Sequence, residues 1–317
     1  MIKINFCDMF RDFNPADNLY LDISKKNFDG YELTENPDFL IYSVFGTNHL
    51  KYKNCVKIFV SGEAISPDFN ICDYASTFDR ISFGERYIRR PVWIDESFPE
   101  HTPVTDEEAL NRRFCNFVYS NDQNGDGAKL RKAFAQKLMQ YKKVDCPGKI
   151  LHNFEDDIDE RFGDWRKSKV NFLKKYKFTI AFENSSCYGY TTEKMTQPLS
   201  AGSIPIYWGS PDVTVDFNQN AFINANDMED KLDELVKQVI ELDRNDQKYL
   251  DMLHADPMQN TFDRNEQQAY EQFFINIFKK GNKPFCKDPL EFSKRMSVDS
   301  LSRKDKIKYF LFKSVMT

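Results

Sequence analysis

The stretch Phe182–Pro211, FENSSCYGYTTEKMTQPLSAGSIPIYWGSP, decides how this chain is read. It closes one apolar run, Phe178–Phe182 (FTIAF), and contains another, Ser203–Trp208 (SIPIYW). Both read as short buried strands. Between them Tyr188, Gly189 and Tyr190 lead into Thr191, Thr192, Glu193 and Lys194. Thr191 is the expected N-cap of a helix, because its hydroxyl can accept from a free amide of the first turn. A helix opening behind a flexible glycine presents unpaired N–H groups and a positive dipole end, which suits a phosphate. Lys194 adds a full positive charge, and Glu193 a carboxylate able to bind hydroxyls. This is the chemistry that holds a sugar nucleotide. Pro198 is expected to kink the helix or end its first regular stretch.

Outward from this stretch, strands keep alternating with helices or loops. Ile2–Cys7, Phe39–Val44, Val56–Val60 and Tyr74–Phe78 read as strands, several of them buried runs suited to a parallel sheet. The polar segment Phe98–Glu108, with two prolines and four acids, reads as an interdomain linker. Strand Phe114–Tyr119 follows, then the loop NDQNGDG and a basic amphipathic helix from about Ala128 to Lys142. A last strand, Ala221–Asn224, precedes helices over Met228–Leu242 and Asp246–His254. The alternation implies a doubly wound α/β unit, twice over. Ligands of such sheets sit beyond the carboxyl ends of the strands, and the YGY loop leaves one such end at Phe182.

Composition bounds the function. The 317 residues have room for two domains, and the 41% hydrophobic and 29% charged fractions speak against a disordered or membrane-embedded chain. No apolar run reaches the length of a membrane-spanning helix. The N-terminal MIKINFCDMFRDF lacks the apolar core of a signal peptide and reads as a first strand. Seven cysteines show no CxxC pair and no zinc spacing, the pattern of reduced and mostly buried thiols. His49, His101, His152 and His254 form no pair at ligand spacing, so no metal site or catalytic triad is expected. The acidic run EDDIDE at 155–160 reads either as a solvated loop or as a DxD-type metal motif. Net charge is −5 but uneven: residues 279–317 hold eleven Lys/Arg against four acids, a tail of +7 on a body of −12. No nucleic-acid motif accompanies it, and no nucleic-acid partner is expected. Phe310, Leu311, Phe312 and Val315 among Lys304, Lys306, Lys308 and Lys313 suit an amphipathic helix. It would lie on anionic lipid or pack back on the N-terminal domain.

The elements FEN, YGY, TEK and IPIYWGSP resemble, in order and spacing, the donor-binding motif of the α-1,3-fucosyltransferases, glycosyltransferase family 10. A second similarity lies in SGEAISPDFNICDYASTFDRISFGERYIRRP, Ser61–Pro91, and a weaker third in FVYSN, Phe117–Asn121, followed by Arg131. Together they cover roughly residues 55–260; the heptad-repeat tail of some bacterial members is not visible. The resemblance implies the GT-B architecture, two Rossmann-like doubly wound domains facing a cleft. It would place an acceptor-binding domain at 1–105, a GDP-fucose-binding domain at 106–278 and a basic tail at 279–317. It implies GDP-fucose as donor, an N-acetyllactosamine-type oligosaccharide as acceptor, α-1,3 transfer with inversion to give Lewis-type glycans, and no required cofactor or metal. With no N-terminal anchor in the sequence, a bacterial cytoplasmic enzyme is expected, peripheral on the inner face of the membrane if the tail binds lipid.

Residue by residue, Glu63 stands just after a strand, in SGE. It reads as a surface carboxylate after a turn or, by the resemblance, as the base that takes the acceptor's proton. Arg131 and Lys194 are the candidate diphosphate ligands. Arg131 is picked out from Lys129 and Lys132 by the motif alone. Glu193 binds ribose or fucose hydroxyls, or merely favours the positive helix end. Asn184 and Tyr190 bind ribose, phosphate or sugar, or stabilise their own loop. Glu183 reads as a structural hydrogen-bond acceptor and Trp208 as core. Asp68, Asn70, Asp73, Tyr74, Tyr87 and Arg89 are assigned mostly to scaffolding.

Overall fold

The computed structural model describes residues 1–96, 104–122, 125–154, 165–259 and 266–285, with 303, 304 and 307. The chain forms two compact units, one of Met1–Thr77, Ile81–Arg90 and Asn265–Thr317, the other of Phe78–Arg80 and Pro91–Arg264.

The first unit opens with β1 (Ile2–Cys7), α1 (Leu19–Asn27), β2 (Tyr31–Leu33), β3 (Phe39–Tyr42), β4 (Val56–Val60), β5 (Tyr74–Thr77) and β6 (Tyr87–Arg89). All six strands are parallel, in the order β2-β1-β3-β4-β5-β6. β3 (FLIY) and β4 (VKIFV) are buried along their whole length, as strands covered on both faces must be. Asn18 caps α1 by accepting from the Leu21 amide at 3.2 Å.

The second unit holds α2 (Asp106–Leu110), β7 (Arg113–Asn116), α3 (Asp126–Leu138), β8 (Val144–Asp145), α4 (Trp165–Leu173), β9 (Tyr176–Phe182), α5 (Glu193–Ser200), β10 (Ile204–Trp208), β11 (Ile223–Asn224), α6 (Leu232–Arg244) and α7 (Asp246–Leu253). Its sheet is also fully parallel, ordered β11-β10-β9-β7-β8. Phe114, Phe134, Phe178, Phe182, Ile206 and Val239 pack into its main core. Each sheet reverses its strand order once, between β1 and β3 in the first and between β7 and β9 in the second. That reversal opens a crevice at the carboxyl ends of the two strands. The doubly wound alternation expected from the sequence is therefore present twice.

The last described helix, α8 (Glu266–Lys280), belongs to the first unit, whereas the sequence reading placed residues up to 278 in the C-terminal domain. Its buried stripe Tyr270, Phe273, Phe274, Ile277 and Phe278 recurs at helical spacing and joins the core of the first sheet. Phe278 meets Phe39 at 4.9 Å and Phe28 at 5.9 Å, and Phe274 meets Tyr20 at 4.8 Å. The basic tail counted from Lys279 thus begins inside this helix. The division between units falls after Arg90, upstream of the expected linker, of which residues 98–103 lie outside the described residues. So do the acidic run 155–160, His101 and residues 310–315. Smaller differences are at element ends: β7 stops at Asn116 rather than Tyr119, and β9 begins at Tyr176 rather than Phe178. Among the described residues no helix is long and apolar enough to cross a membrane.

Candidate active site

The site grows from the ends of β7 and β9. The Tyr119 hydroxyl accepts from the Phe182 amide at 2.8 Å and faces the carbonyls of Phe182 and Ile180 at 3.0 and 3.1 Å. One buried side chain thereby joins the loop that leaves β7 to the end of β9. α3 then packs directly on the end of β9: a Cβ on Gly127 would stand 2.0 Å from the Glu183 carbonyl oxygen and 2.5 Å from the Trp208 ring. That approach brings Arg131 inward. Its guanidinium is buried, lies 4.1 Å from the Tyr119 ring centroid, and donates to Asn184 Oδ1 at 2.8 Å and to the Asn121 carbonyl. Burial lowers the pKa of this guanidinium, against the opposing pull of Tyr119 and Glu183.

α5 supplies the other wall. Its N-cap is Thr192, not Thr191. The Thr192 hydroxyl accepts from the Lys194 amide at 3.4 Å, while Thr191 Oγ1 faces the Tyr207 hydroxyl at 3.3 Å. Glu183, with no solvent exposure, accepts from the Thr192 amide at 2.8 Å and from its hydroxyl at 2.9 Å. It also pairs with Lys194 Nζ at 3.2 Å, and Glu193 Oε1 stands 3.3 Å from the same ammonium. Burial works against charge on Lys194, but Glu183 and then Glu193 outweigh it and hold its pKa up. Burial pushes Glu183 up, with Lys194 opposing. Burial would also raise Glu193, but Lys194 and then Lys169 hold it down to about 2. Pro198 sits in the last turn, and the helix stops at Ser200.

A cavity of about 210 Å³ lies at the β7/β9 reversal, inside the second unit. Its walls include Tyr119, Asn121, Arg131, Asn184, Glu193 and Lys194, with Lys169, Leu173 and Pro198 closing it. Ligand pockets that enclose a drug-sized molecule run to roughly 300–1,000 Å³, so this one fits part of a sugar nucleotide. Four of the residues proposed from the sequence, Arg131, Asn184, Glu193 and Lys194, thus come together. Tyr190 does not line the cavity: it is buried, its ring edge-on to Phe78 at 5.1 Å. Lys169, on α4, is a lining residue that the sequence did not single out.

The YGY loop is held by a clasp. Gly189 has φ +77°, and a Cβ there would stand 2.7 Å from the Phe78 carbonyl oxygen. Its amide donates to Asp212 Oδ1 at 2.7 Å and Ser210 Oγ at 2.9 Å. Arg80 donates to the other oxygen of Asp212 at 2.6 Å and to Asp216 at 2.7 Å. Trp208 is core, as expected, and its indole N–H donates to Glu229 at 2.6 Å.

Glu63 belongs to the first unit, on the loop directly after β4. Its side chain is exposed; its amide donates to Ser61 Oγ at 3.0 Å, and its carbonyl accepts from Ile65 at 2.7 Å. Asp73, just before β5 and beside the amino end of the parallel β4, is buried and accepts from the Lys57 amide at 2.9 Å and the Phe285 amide at 2.8 Å, a scaffolding role. Among the described residues no three His, Cys, Asp or Glu side chains gather as a metal-holding group.

Residues 4–95 match the alpha-(1,3)-fucosyltransferase FucT N-terminal domain, and residues 111–287 the glycosyltransferase family 10 (fucosyltransferase) C-terminal domain. The chain belongs to glycosyltransferase family 10. It is 32% identical over 301 residues to the alpha-(1,3)-fucosyltransferase FucT of Helicobacter pylori, covering 82% of this chain and 59% of that protein. It is 30% identical over 194 residues to GDP-fucose protein O-fucosyltransferase 3 of Gallus gallus, covering 58% of this chain and 39% of that protein. The chain therefore spans three-fifths or less of the length of these two relatives. A crystal structure of an alpha1,3-fucosyltransferase superposes with a TM-score of 0.69 at 28% identity, covering 88% of this chain and 89% of the other. The structure of an alpha1,3-fucosyltransferase with GDP-fucose superposes with 0.68 at 26% identity, covering 88% and 90%. The two parallel α/β sheets are those of the GT-B glycosyltransferases.

Proposed function

We propose that the chain is an inverting fucosyltransferase. It moves L-fucose from GDP-fucose to the GlcNAc of an N-acetyllactosamine-type acceptor in α-1,3 linkage, as in Lewis-type glycans. The observation that carries this reading is the cavity that gathers Arg131, Asn184, Glu193 and Lys194 at a strand-order reversal of a family 10 chain. The donor has support from the relatives, since GDP-fucose stands in the names of both a similar solved structure and a protein O-fucosyltransferase.

In this reading Arg131 and Lys194 receive the diphosphate, and Asn184 and Glu193 take hydroxyls of the sugar or ribose. Glu63 removes the acceptor proton as its oxygen attacks the anomeric carbon from the face opposite GDP. The bond to the diphosphate breaks, its electron pair leaves with GDP, and the configuration inverts. Preorganised cations stabilise the charge that develops on the leaving group, so the reading requires no metal or other cofactor. The basic tail adds a proposal of peripheral contact with anionic lipid on the inner face of the cytoplasmic membrane.

Mass spectrometry of products from GDP-fucose with type I and type II disaccharides tests the reading. Transfer to the 3-hydroxyl of the type II GlcNAc is expected. Transfer from a different nucleotide sugar alone would move the chain to another donor class. Binding of GDP without transfer, and without slow acceptor-free hydrolysis, would make it a binding protein.

A further inference from the structure

We infer that Asp8, His49 and Phe45 form a saccharide subsite in the first unit, in which the outward nitrogen of His49 hydrogen-bonds a hydroxyl of the acceptor. The inference rests on the acceptor being a saccharide, as proposed above. It begins at the other strand-order reversal, between β1 and β3. Asp8 directly follows β1, and Asn48 and His49 open a short 3₁₀ turn, Asn48–Lys51, in the segment that leaves β3. The Asp8 carboxylate is 1% exposed and takes all its listed donors from that turn. They are the Asn48 amide at 3.1 Å, Asn48 Nδ2 at 2.9 Å, the His49 amide at 2.8 Å and His49 Nδ1 at 2.8 Å. The Asp8 carbonyl accepts in turn from the Phe45 amide at 3.0 Å. Burial works against charge on Asp8, but the amide and ring of His49 and the amide of Asn48 outweigh it and hold its pKa below the ordinary carboxylate value. The backbone is shaped for these bonds. Asp8 has φ +54°, uncommon for a residue other than glycine, and a Cβ on Gly46 would stand 2.3 Å from Asp8 Oδ1.

Bonding on one side of the imidazole defines the other. A carboxylate has only acceptor oxygens, so Nδ1 carries the proton and Nε2 faces away from the pair. The ring is stacked on Tyr42, with centroids 4.2 Å apart and planes 18° apart, and Nε2 has no partner among the described residues. In the neutral ring Nε2 accepts a hydrogen bond. The same segment carries Phe45, whose amide is pinned to Asp8 while the residue is 54% exposed. An oriented polar atom and an open aromatic ring on one pinned segment match a sugar, which offers hydroxyls at its rim and C–H groups on its face. The location also fits the reaction. All strands of the first sheet are parallel and β3 is next to β4, so His49 and the proposed base Glu63 both lie beyond the carboxyl edge of one sheet. His49 is thus a binding residue and Asp8 a positioning residue.

Steady-state transfer by the full chain from GDP-fucose to a type II disaccharide tests this, with calorimetry of GDP and a thermal melt for every variant. His49→Phe keeps a ring to stack on Tyr42 and removes both nitrogens, whereas Phe45→Ala removes the exposed ring alone. Each should raise the KM for the disaccharide roughly three- to tenfold, the size of one lost hydrogen bond or one aromatic contact. GDP affinity and the KM for GDP-fucose should stay within about twofold of wild type. Phe45→Ala should melt as wild type does, and it alone decides should His49→Phe fail to fold. Asp8→Asn keeps the shape and tolerates the left-handed backbone. It should raise the disaccharide KM in the wild-type background but not in the His49→Phe background. A disaccharide KM unchanged in Phe45→Ala or in a folded His49→Phe would overturn the inference. So would GDP affinity that falls in parallel with the rise in that KM, or an Asp8→Asn effect undiminished in the His49→Phe background. If wild type binds GDP but transfers fucose to no saccharide, the acceptor reading fails first and the inference falls with it.

Discussion

Lys194 Nζ lies 3.2 Å from Oε2 of Glu183, a carboxylate without solvent exposure, so one cation of the site is also half of a buried ion pair. Removing one partner of such a pair strands the other in a low-dielectric interior, at a cost of about 3–5 kcal/mol. Lys194→Ala is therefore expected to lose stability as well as GDP affinity. The sign with pH follows from Glu183, whose pKa burial raises above its unfolded value. A raised pKa contributes stability at low pH that is lost as pH climbs through the folded value. Without Lys194 to oppose that rise, the deficit against wild type should be smaller at pH 5 than at pH 8. Urea unfolding at the two pH values checks it, and an equal deficit at both would place the cost elsewhere.

Arg131→Ala should weaken GDP binding by roughly ten- to a hundredfold, one lost charge-assisted contact of about 1.5–3 kcal/mol. Arg131→Lys should recover only part of this. A single ammonium cannot lie over Tyr119 while donating to both Asn184 and the Asn121 carbonyl, as the planar guanidinium does. Full recovery by lysine, measured by calorimetry, would mean that charge alone matters there.

The clasp of Arg80 on Asp212 and Asp216 should act on the donor loop from outside the cavity. Arg80→Ala is expected to cost about 1–3 kcal/mol of stability and to raise the KM for GDP-fucose more than it lowers kcat. Burial works against the Asp212 carboxylate, but the Ser210 hydroxyl, the Gly189 amide and Arg80 hold its pKa below the ordinary value. A depressed pKa contributes stability above the unfolded value that is lost as pH falls through the folded one. Acid denaturation of Asp212→Asn should thus lose one component present in wild type. A KM for donor unchanged in Arg80→Ala would show that the loop holds its place without the clasp.

Glu63→Gln should abolish transfer and spare GDP binding. Base catalysis contributes about a hundred- to ten-thousandfold, and glutamine keeps the shape but cannot take the proton. Fucosyl transfer within a few-fold of wild type would put the base elsewhere. The buried, doubly bonded Asp73 is a poor substitute, which leaves the Asp68 turn as the next position to vary.

Much of the fold was legible because buried parallel strands are short continuous apolar runs, and FTIAF, VKIFV and IPIYW can be little else. The gathering of Arg131, Asn184, Glu193 and Lys194 at one cavity was legible because these residues lie beside the ends of those strands. What escaped did so for identifiable reasons. Thr191 and Thr192 are chemically equal as caps, and only the position of Glu183 selects the second. The burial of Tyr190 against Phe78, away from the cavity lining, was not legible, because nothing in the sequence shows that the two rings meet. Lys169 sits among Lys167, Arg166 and other polar residues, where one inward lysine is indistinguishable from a solvated face until Leu173 is seen behind it. The assignment of α8 failed because an amphipathic helix announces that it has a partner without saying which sheet that partner is.

The return of α8 to the first unit has a consequence for biosynthesis. Domains tend to fold as units while the chain emerges, N-terminal first. Here the half that is made first is finished last. Until residues 266–280 leave the ribosome, Leu21, Phe39 and Ile277's other core neighbours lack their covering helix, while everything the second sheet needs has already been made. The second unit can reach its native state on a nascent chain whose first unit is still an open, apolar sheet, and chaperone demand should peak in that interval.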